Sequence, residues 1–180
     1  MTDAPPLIPT RVDAIDWEEW SPTEDATLLF VITDDSILLI HKLRGLGKGK
    51  INGPGGRLEP GETPHECALR ETQEEVGVTP TGVTYAGRLH FQFVDGYGLR
   101  GDVFRANGYE GELIETSEAI PEWFPIAGIP YDRMWADDPL WFPHLLDRRP
   151  FTGYFIFDDD TMLDHRVIVE PVLASGPTLS

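Results

Sequence analysis

The segment from Ile51 to Gly77 leaves the backbone few choices. Within it, Ile51-Asn52-Gly53-Pro54-Gly55-Gly56 cannot be helix, because proline lacks an amide donor and glycine loses the most entropy on ordering. A helix start follows after a short loop. Thr63 is placed to act as N-cap, Pro64 takes the first helical position, and Glu66 falls three residues after the cap, which completes a capping box. Gly77 supplies a left-handed stop. The pattern predicts a helix over Pro64–Val76, so the fold must seat a glycine-rich loop beside a well-defined helix.

That helix carries Glu71, Glu74 and Glu75, related by i, i+3 and i+4, so the three carboxylates share one side. Ala68, Leu69, Thr72 and Val76 form a neighbouring stripe able to face a core. Like charges near the C-terminal end of a helix repel one another and oppose its macrodipole. Either they form a solvated face partly paired with Arg70, or a bound cation offsets the repulsion. Carboxylate oxygens are the ligands that Mg²⁺ and Mn²⁺ prefer. The helix pattern alone leaves both readings open.

Elsewhere β-rich runs dominate. Residues 26–33 (ATLLFVIT) and 36–43 (SILLIHKL) flank Asp34-Asp35, which predicts a hairpin. Residues 83–94 and 100–106 read as strands joined by Asp95-Gly96-Tyr97-Gly98, and 121–126 as a short strand with Trp123 and Phe124. Residues 153–157 and 162–170 read as a hairpin turned at Asp158-Asp159-Asp160, a turn rather than a metal site. A second helix is expected to begin with Asp138 as N-cap and Pro139 at its first position, and to run to about Leu146. Strands outnumber helices and sheet separates the two helices. The expected class is therefore α/β, a mixed sheet with a helix on each side. Residues 1–24, rich in Pro, Asp, Glu and Trp without a period, read as an N-terminal extension packed at its tryptophans. Residues 25–172 are expected to form one domain and 173–180 a tail.

The formal net charge of -17 argues against a duplex nucleic-acid partner, since phosphate binding needs clustered Lys and Arg. It would also repel a nucleotide unless cations reverse the local field. Most of these acids read as solubilising. No apolar run reaches the ~18 residues of a membrane span. Residues 1–6 lack the basic and apolar segments of a secretory signal, and the single cysteine, Cys67, excludes an intramolecular disulfide. A cytoplasmic location with no membrane partner is expected. Cys67 has no evident base nearby and reads as an inert thiol. His41, His65, His90, His144 and His165 show no metal-ligand spacing and read as structural. Oligomeric state is not encoded in any of these features.

The residues around the acidic helix choose between its two readings. Gly56, Glu62, Arg70, Glu71, Glu74, Glu75, Gly77 and Val78 stand at the spacing of the Nudix box, read here as GRLEPGETPHECALRETQEEVGV. The chain resembles Nudix hydrolases. Thr72 stands where that family carries an apolar residue, and because it faces the core stripe the change should fall on packing. The resemblance implies a Nudix α/β/α sandwich with a mixed sheet. It also implies Mg²⁺-dependent hydrolysis of a phosphate anhydride, with Mn²⁺ as a substitute. Glu71, Glu74 and Glu75 would ligate the metal, with Gly55 as a further ligand, and Arg70 would orient a glutamate. Glu62 would support the loop, and the glycines of residues 53–56, Gly53, Gly55 and Gly56, would let the backbone approach the phosphates.

Beyond the box, from about Leu28 to Val169, the chain is similar to the mammalian-type oxidised purine nucleoside triphosphatase branch. The segments KLRGLGKGKINGPGGRLEPGE, GRLHFQFV, ETSEAIPEWF, PYDRMWADDPLWFPHLL and FTGYFIFDDDTMLDH carry the likeness. It implies a nucleoside triphosphate substrate of the 8-oxo-dGTP or 2-hydroxy-dATP type, split to monophosphate and pyrophosphate. Asn52, Trp135, Asp137 and Asp138 would form the base pocket, Phe91 would line it and Lys42 would contact the nucleotide. Glu118 would be a general base or a further ligand. The chemistry is consistent with this: an indole face stacks a purine for ~1–3 kcal/mol, and two adjacent carboxyls in a dry pocket retain a proton, so one donates while the other accepts. Taken alone, Asp138 could instead cap its helix. Ile51 and Leu46 stand where the branch carries Trp and Phe. Another diphosphate, such as ADP-ribose, a nucleotide sugar or a methylated purine triphosphate, is therefore the alternative. A non-catalytic nucleotide-binding module is a third reading, opposed by the intact glutamates.

Overall fold

The computed structural model describes residues 7–171; residues 1–6 and the expected tail 173–180 lie outside the described residues. In chain order the elements are β1 (Glu24–Val31), β2 (Ser36–Lys42), β3 (Ile51–Asn52), β4 (Gly55–Arg57), α1 (Pro64–Val76), β5 (Thr79–Thr81) and β6 (Thr84–Phe93). They continue with β7 (Gly98–Ala106), β8 (Gly108–Glu110), β9 (Ala119–Pro125), α2 (Asp138–Leu146), β10 (Phe151–Asp158) and β11 (Thr161–Val169). Six strands form a mixed sheet in the order β11-β10-β6-β7-β1-β4, with β1/β7 and β10/β6 parallel. A three-stranded antiparallel sheet, β3-β2-β9, and a two-stranded ribbon, β5-β8, complete the fold. Among the described residues no helix is long and apolar enough to cross a membrane.

The expected hairpin at Asp34-Asp35 is a correction. The chain does turn there, with the Thr33 amide donating to Ser36 O at 2.9 Å, but β1 and β2 enter different sheets and share one bridge, Ile32 with Ile37. Both hydrogen-bonding edges of β1 are taken, by β7 in parallel and β4 antiparallel, so β2 has no edge to join and pairs with β9 instead. The two runs are apolar without alternation because each strand is buried on both faces. Phe30, Ile32, Ile37 and Leu39 enter the main core with α2, while Leu29, Val31 and Leu38 pack on the other side with Ala68 of α1. The helices thus cover opposite faces.

Helix α1 matches its predicted bounds. The Thr63 hydroxyl accepts from the Glu66 amide at 3.2 Å, Glu66 Oε2 accepts from the Thr63 amide at 2.9 Å, and Gly77 closes the helix at φ 81°. Thr72, buried, spends its hydroxyl on Ala68 O at 2.7 Å, so a polar residue sits in the core without an unmet donor. Gly55 is dictated by pairing: an added Cβ would lie 1.9 Å from Thr27 O in the neighbouring strand. Backbone cannot give way as a side chain can. Gly55→Ala is expected to cost about 3 kcal/mol, read as a lower denaturation midpoint with an unchanged slope.

Candidate active site

Arg70 organises the acidic end of α1. Its Nε and Nη2 grip Glu62 at 2.6 and 2.9 Å, its Nη1 reaches Glu71 at 2.8 Å and Glu74 at 3.2 Å, and Nη2 also donates to Arg57 O at 3.1 Å. This fork joins the loop, β4 and the helix in a way a point charge could not. The paired bonds from Arg70 hold the Glu62 carboxyl down at about 2. Gly56 is small because Glu71 occupies the space beside it: an added Cβ would lie 2.4 Å from the Glu71 carboxyl carbon.

Carboxylate oxygens of Glu71, Glu75 and Glu118 lie within 4.8 Å of one another. Glu118 arrives from the loop before β9, where Thr116 Oγ1 donates to Glu75 O at 2.7 Å and Arg44 pairs with the Glu118 carboxylate. Burial, then the nearby charges of Glu71 and Glu118, push Glu75 up to about 8, against the pull of Lys42 and the Gly55 backbone. Burial also raises Glu71. Glu75 Oε2 is buried with no hydrogen-bond partner among the described residues. An unmet oxygen among three converging carboxylates is costly unless a cation meets it. The donor set therefore fits a divalent metal ion. Glu74 lies outside this trio, exposed at the rim and tied to Arg70.

Beside the acids is a cavity of about 310 Å³, at the low end for a small-molecule site. Lys42, Asn52, Phe91, Trp135, Asp137 and Asp138 all line it, as do Gly55 and Gly56. Gly56 is the join, since it borders the cavity and abuts Glu71. The expectation that residues 53–56 open the backbone to a ligand meets a different local cause. Gly53 presses on the Phe30 ring, Gly55 on Thr27 and Gly56 on Glu71, so each is required by packing within the protein.

Asp137 and Asp138 are both buried. Asp137 Oδ2 accepts from Trp141 Nε1 at 2.8 Å, its Oδ1 has no partner among the described residues, and Asp138 Oδ2 accepts from the Trp135 amide at 3.2 Å. Burial raises both carboxyls, and for Asp138 the neighbouring Asp137 charge adds to it. The capping reading of Asp138 is corrected: Asp137 is the N-cap, helical in conformation and without a side-chain cap bond. Asp138 points its carboxylate back to Trp135 instead. Trp135 lies against Gly47, where a Cβ would come 2.8 Å from the indole nitrogen, and the Lys50 ammonium sits 5.1 Å from the ring centre.

The two departures at 46 and 51 separate here. Ile51 is buried in the main core, whereas Leu46 lines the cavity and is partly exposed. Sequence reasoning missed Leu89, Phe93, Tyr97 and Trp141 as lining residues. Two signals pointed to three of them: strand alternation from Phe91 selects Leu89 and Phe93, and Trp141 stands one helical turn after Asp137. Tyr97 lies in the turn after β6 and had no such signal. Cys67 is buried and its thiol is pushed up to about 11 by that burial, as an inert thiol should be.

Comparison with known proteins gives concordant findings. The model of the NUDIX domain matches residues 22–145. The oxidized purine nucleoside triphosphate hydrolase of Danio rerio is 43% identical over 143 residues, covering 78% of this chain and 92% of that protein. Its counterpart in Mus musculus is 38% identical over 141 residues, covering 77% and 90%. Among solved structures, the mutator MutT protein from Bacillus halodurans superposes with a TM-score of 0.72 at 29% identity, covering 80% of this chain and 97% of that one.

Proposed function

This chain belongs to the NUDIX family, and from that premise we propose that it hydrolyses oxidised purine nucleoside triphosphates, of the 8-oxo-dGTP and 2-hydroxy-dATP type, to monophosphate and pyrophosphate. One spatial observation carries the reading. Asn52, Trp135, Asp137 and Asp138 line a single cavity that meets the glutamate trio at Gly56. A base seated between Asn52 and the aspartates directs its phosphates toward the acids. Trp135 offers the stacking face, and the aspartate pair, sharing a proton, offers a donor beside an acceptor. Exchanging which carboxyl holds the proton lets one pocket accept two purine edges.

Glu71, Glu75 and Glu118 would hold Mg²⁺, or Mn²⁺ in its place, with Glu74 and the Gly55 backbone at the margin. Such an ion, when bound, neutralises charge on the phosphoryl oxygens and acidifies bound water. Arg70 keeps Glu71 aimed at the site by holding Glu62 and Glu71 together. Glu118, steadied by Arg44, is the candidate to accept the proton of the attacking water. Lys42 faces the same cavity and offers a positive charge to a phosphate. A cytoplasmic location belongs to the same proposal, resting on the lone cysteine.

A panel of triphosphates assayed with Mg²⁺ tests the substrate class. The oxidised purines are expected to exceed dGTP and dATP by at least ~10-fold in kcat/KM, because a site built on hydrogen bonds rejects a base that leaves them unmet. Chelation should abolish turnover. Equal rates on oxidised and normal purines would remove the substrate assignment. Leu46 at the cavity favours one second reading, a diphosphate with a different base or a sugar, so ADP-ribose, a nucleotide sugar and a methylated purine triphosphate belong in the panel.

A further inference from the structure

The segment preceding β1 reaches across the sheet to the β6–β7 turn, and that turn forms one wall of the cavity. Trp20 Nε1 donates to Gln92 Oε1 at 2.7 Å, and Gln92 Nε2 donates into the turn, to the carbonyls of Phe93 at 2.9 Å and Tyr97 at 3.2 Å. Gln92 is buried, so these bonds satisfy an amide that burial would otherwise penalise. Thr23 exchanges two bonds with Gly98: its amide donates to Gly98 O at 2.7 Å, and its hydroxyl accepts from the Gly98 amide at 3.0 Å. The Tyr97 hydroxyl donates to Glu24 Oε2 at 2.5 Å, and the same oxygen receives Arg57 Nε at 2.7 Å. Glu24 thereby ties the turn to β4.

Strand alternation divides the two sides of β6. Leu89, Phe91 and Phe93 line the cavity, while His90 and Gln92 meet the tryptophans on the opposite face. There Trp17 packs on Tyr154 at 4.9 Å between ring centres, and Trp20 on His90 at 5.6 Å. Phe93, Tyr97, Leu99 and Arg57 also line the cavity, so the bonds to Gln92, Tyr97 and Gly98 end on a cavity residue or its immediate neighbour, while Trp17 packs away from it on Tyr154. The NUDIX match begins at residue 22, so both tryptophans lie outside the shared domain.

We propose that Trp20 and Glu24 are positioning residues that set the shape of the nucleoside end of the cavity, acting through Gln92 and Tyr97 on the wall of Phe93, Tyr97 and Leu99. The proposal rests on reading that cavity as the nucleotide site. Among the described residues, neither makes a hydrogen bond or ion pair with the glutamate trio: Trp20 bonds Gln92, and Glu24 bonds Tyr97 and Arg57. Their loss loosens the grip on the base and leaves the hydrolytic step as it was.

Steady-state kinetics on the full chain test this, with the oxidised purine triphosphate turned over fastest and with its unoxidised counterpart. Trp20→Phe keeps one aromatic ring and removes the five-membered ring with its N–H, and Glu24→Ala removes the acceptor for Tyr97. Each is expected to raise KM about three- to tenfold, the range of one lost hydrogen bond, and to hold kcat within about twofold. Preference for the oxidised base should fall in parallel. Glu24→Gln keeps an acceptor for the Tyr97 hydroxyl and should restore KM. Hydrogen exchange on the same variants should speed up in residues 93–99 and stay unchanged in α1. Unchanged KM in both variants overturns the proposal, whether or not exchange speeds up, and so does a fall in kcat that matches the rise in KM. A wild-type chain inactive on oxidised purines overturns the substrate reading instead. The exchange data then decide the positioning claim: faster exchange confined to residues 93–99 sustains it, and unchanged exchange there ends it.

Discussion

Replacing Glu75 by glutamine is expected to lower kcat on the order of 10³-fold, about 4 kcal/mol of barrier, while making the metal-free protein more stable at alkaline pH. The two effects have opposite sign because one buried carboxylate causes both. Glu75 is nearly inaccessible and shares its space with Glu71 and Glu118, and its carboxyl is pushed up to about 8 from a reference of 4.5. A group whose folded pKa is raised contributes stability that is complete below the unfolded value and is lost as pH rises through the folded one. The metal-free wild type should therefore lose stability between those two values, and the glutamine variant should not. A divalent ion stabilises whichever form binds it by mass action. Added Mg²⁺ should raise the melting temperature of the wild type at pH near 8 and have little effect on the variant. Thermal scans at acidic and alkaline pH, with and without Mg²⁺, read the stability half, and single-turnover hydrolysis reads the other. Full activity in Glu75→Gln, or in the double variant Glu74→Gln, Glu75→Gln, would show that the acidic helix is not the metal site.

Asp138→Asn is expected to lower kcat/KM for oxidised purines by about 10²-fold, near 3 kcal/mol, and to do so unequally between the 8-oxo and 2-hydroxy substrates. The asparagine can still accept from the Trp135 amide, so the entry to α2 should stay intact. What it loses is the exchangeable proton, and with it the choice between two base edges. Stability moves the other way. Burial raises both aspartates, so the wild type is most stable below the ordinary carboxylate range and weakens as pH rises through the raised values. The variant should show a flatter stability profile from acid to neutral pH and a higher melting temperature at neutral pH. Equal loss on both substrates would argue against the shared-proton reading, and a steeper pH profile would argue against the buried pair as its origin.

The legible features were those written in short-range chemistry. Helix α1 was readable to the residue because cap, box, N1 proline and terminal glycine all act within a few positions. The β6–β7 and β10–β11 hairpins were readable because a turn and two alternating runs are likewise local. The Asp34-Asp35 hairpin failed for a non-local reason. The turn is real, but β4 and β7 occupy the edges of β1, and neither strand is adjacent in sequence. Asp138 failed as a cap because the chain enters α2 already helical at Asp137, which leaves the side chain free to turn back to Trp135.

The sequence by itself determined that a glycine loop precedes an acidic, tightly capped helix, and its spacing sufficed to name the family. It could not say which glutamates converge. Helical periodicity puts Glu71, Glu74 and Glu75 on one side, yet only Glu71 and Glu75 turn inward, and the third member, Glu118, comes from a loop some forty residues on. That choice belongs to tertiary structure. Glu74 stays exposed although Arg70 holds it and Glu71 alike, the Thr116 hydroxyl pins the Glu118 loop to the end of α1, and burial of Glu75 leaves an oxygen with no hydrogen-bond partner among the described residues, placed to meet a cation. The same holds for Trp20 and Glu24, whose role depends on a turn more than seventy residues away in the chain. Local pattern specifies elements, because capping and alternation act over a few residues. Convergence of charges depends on which elements are packed together.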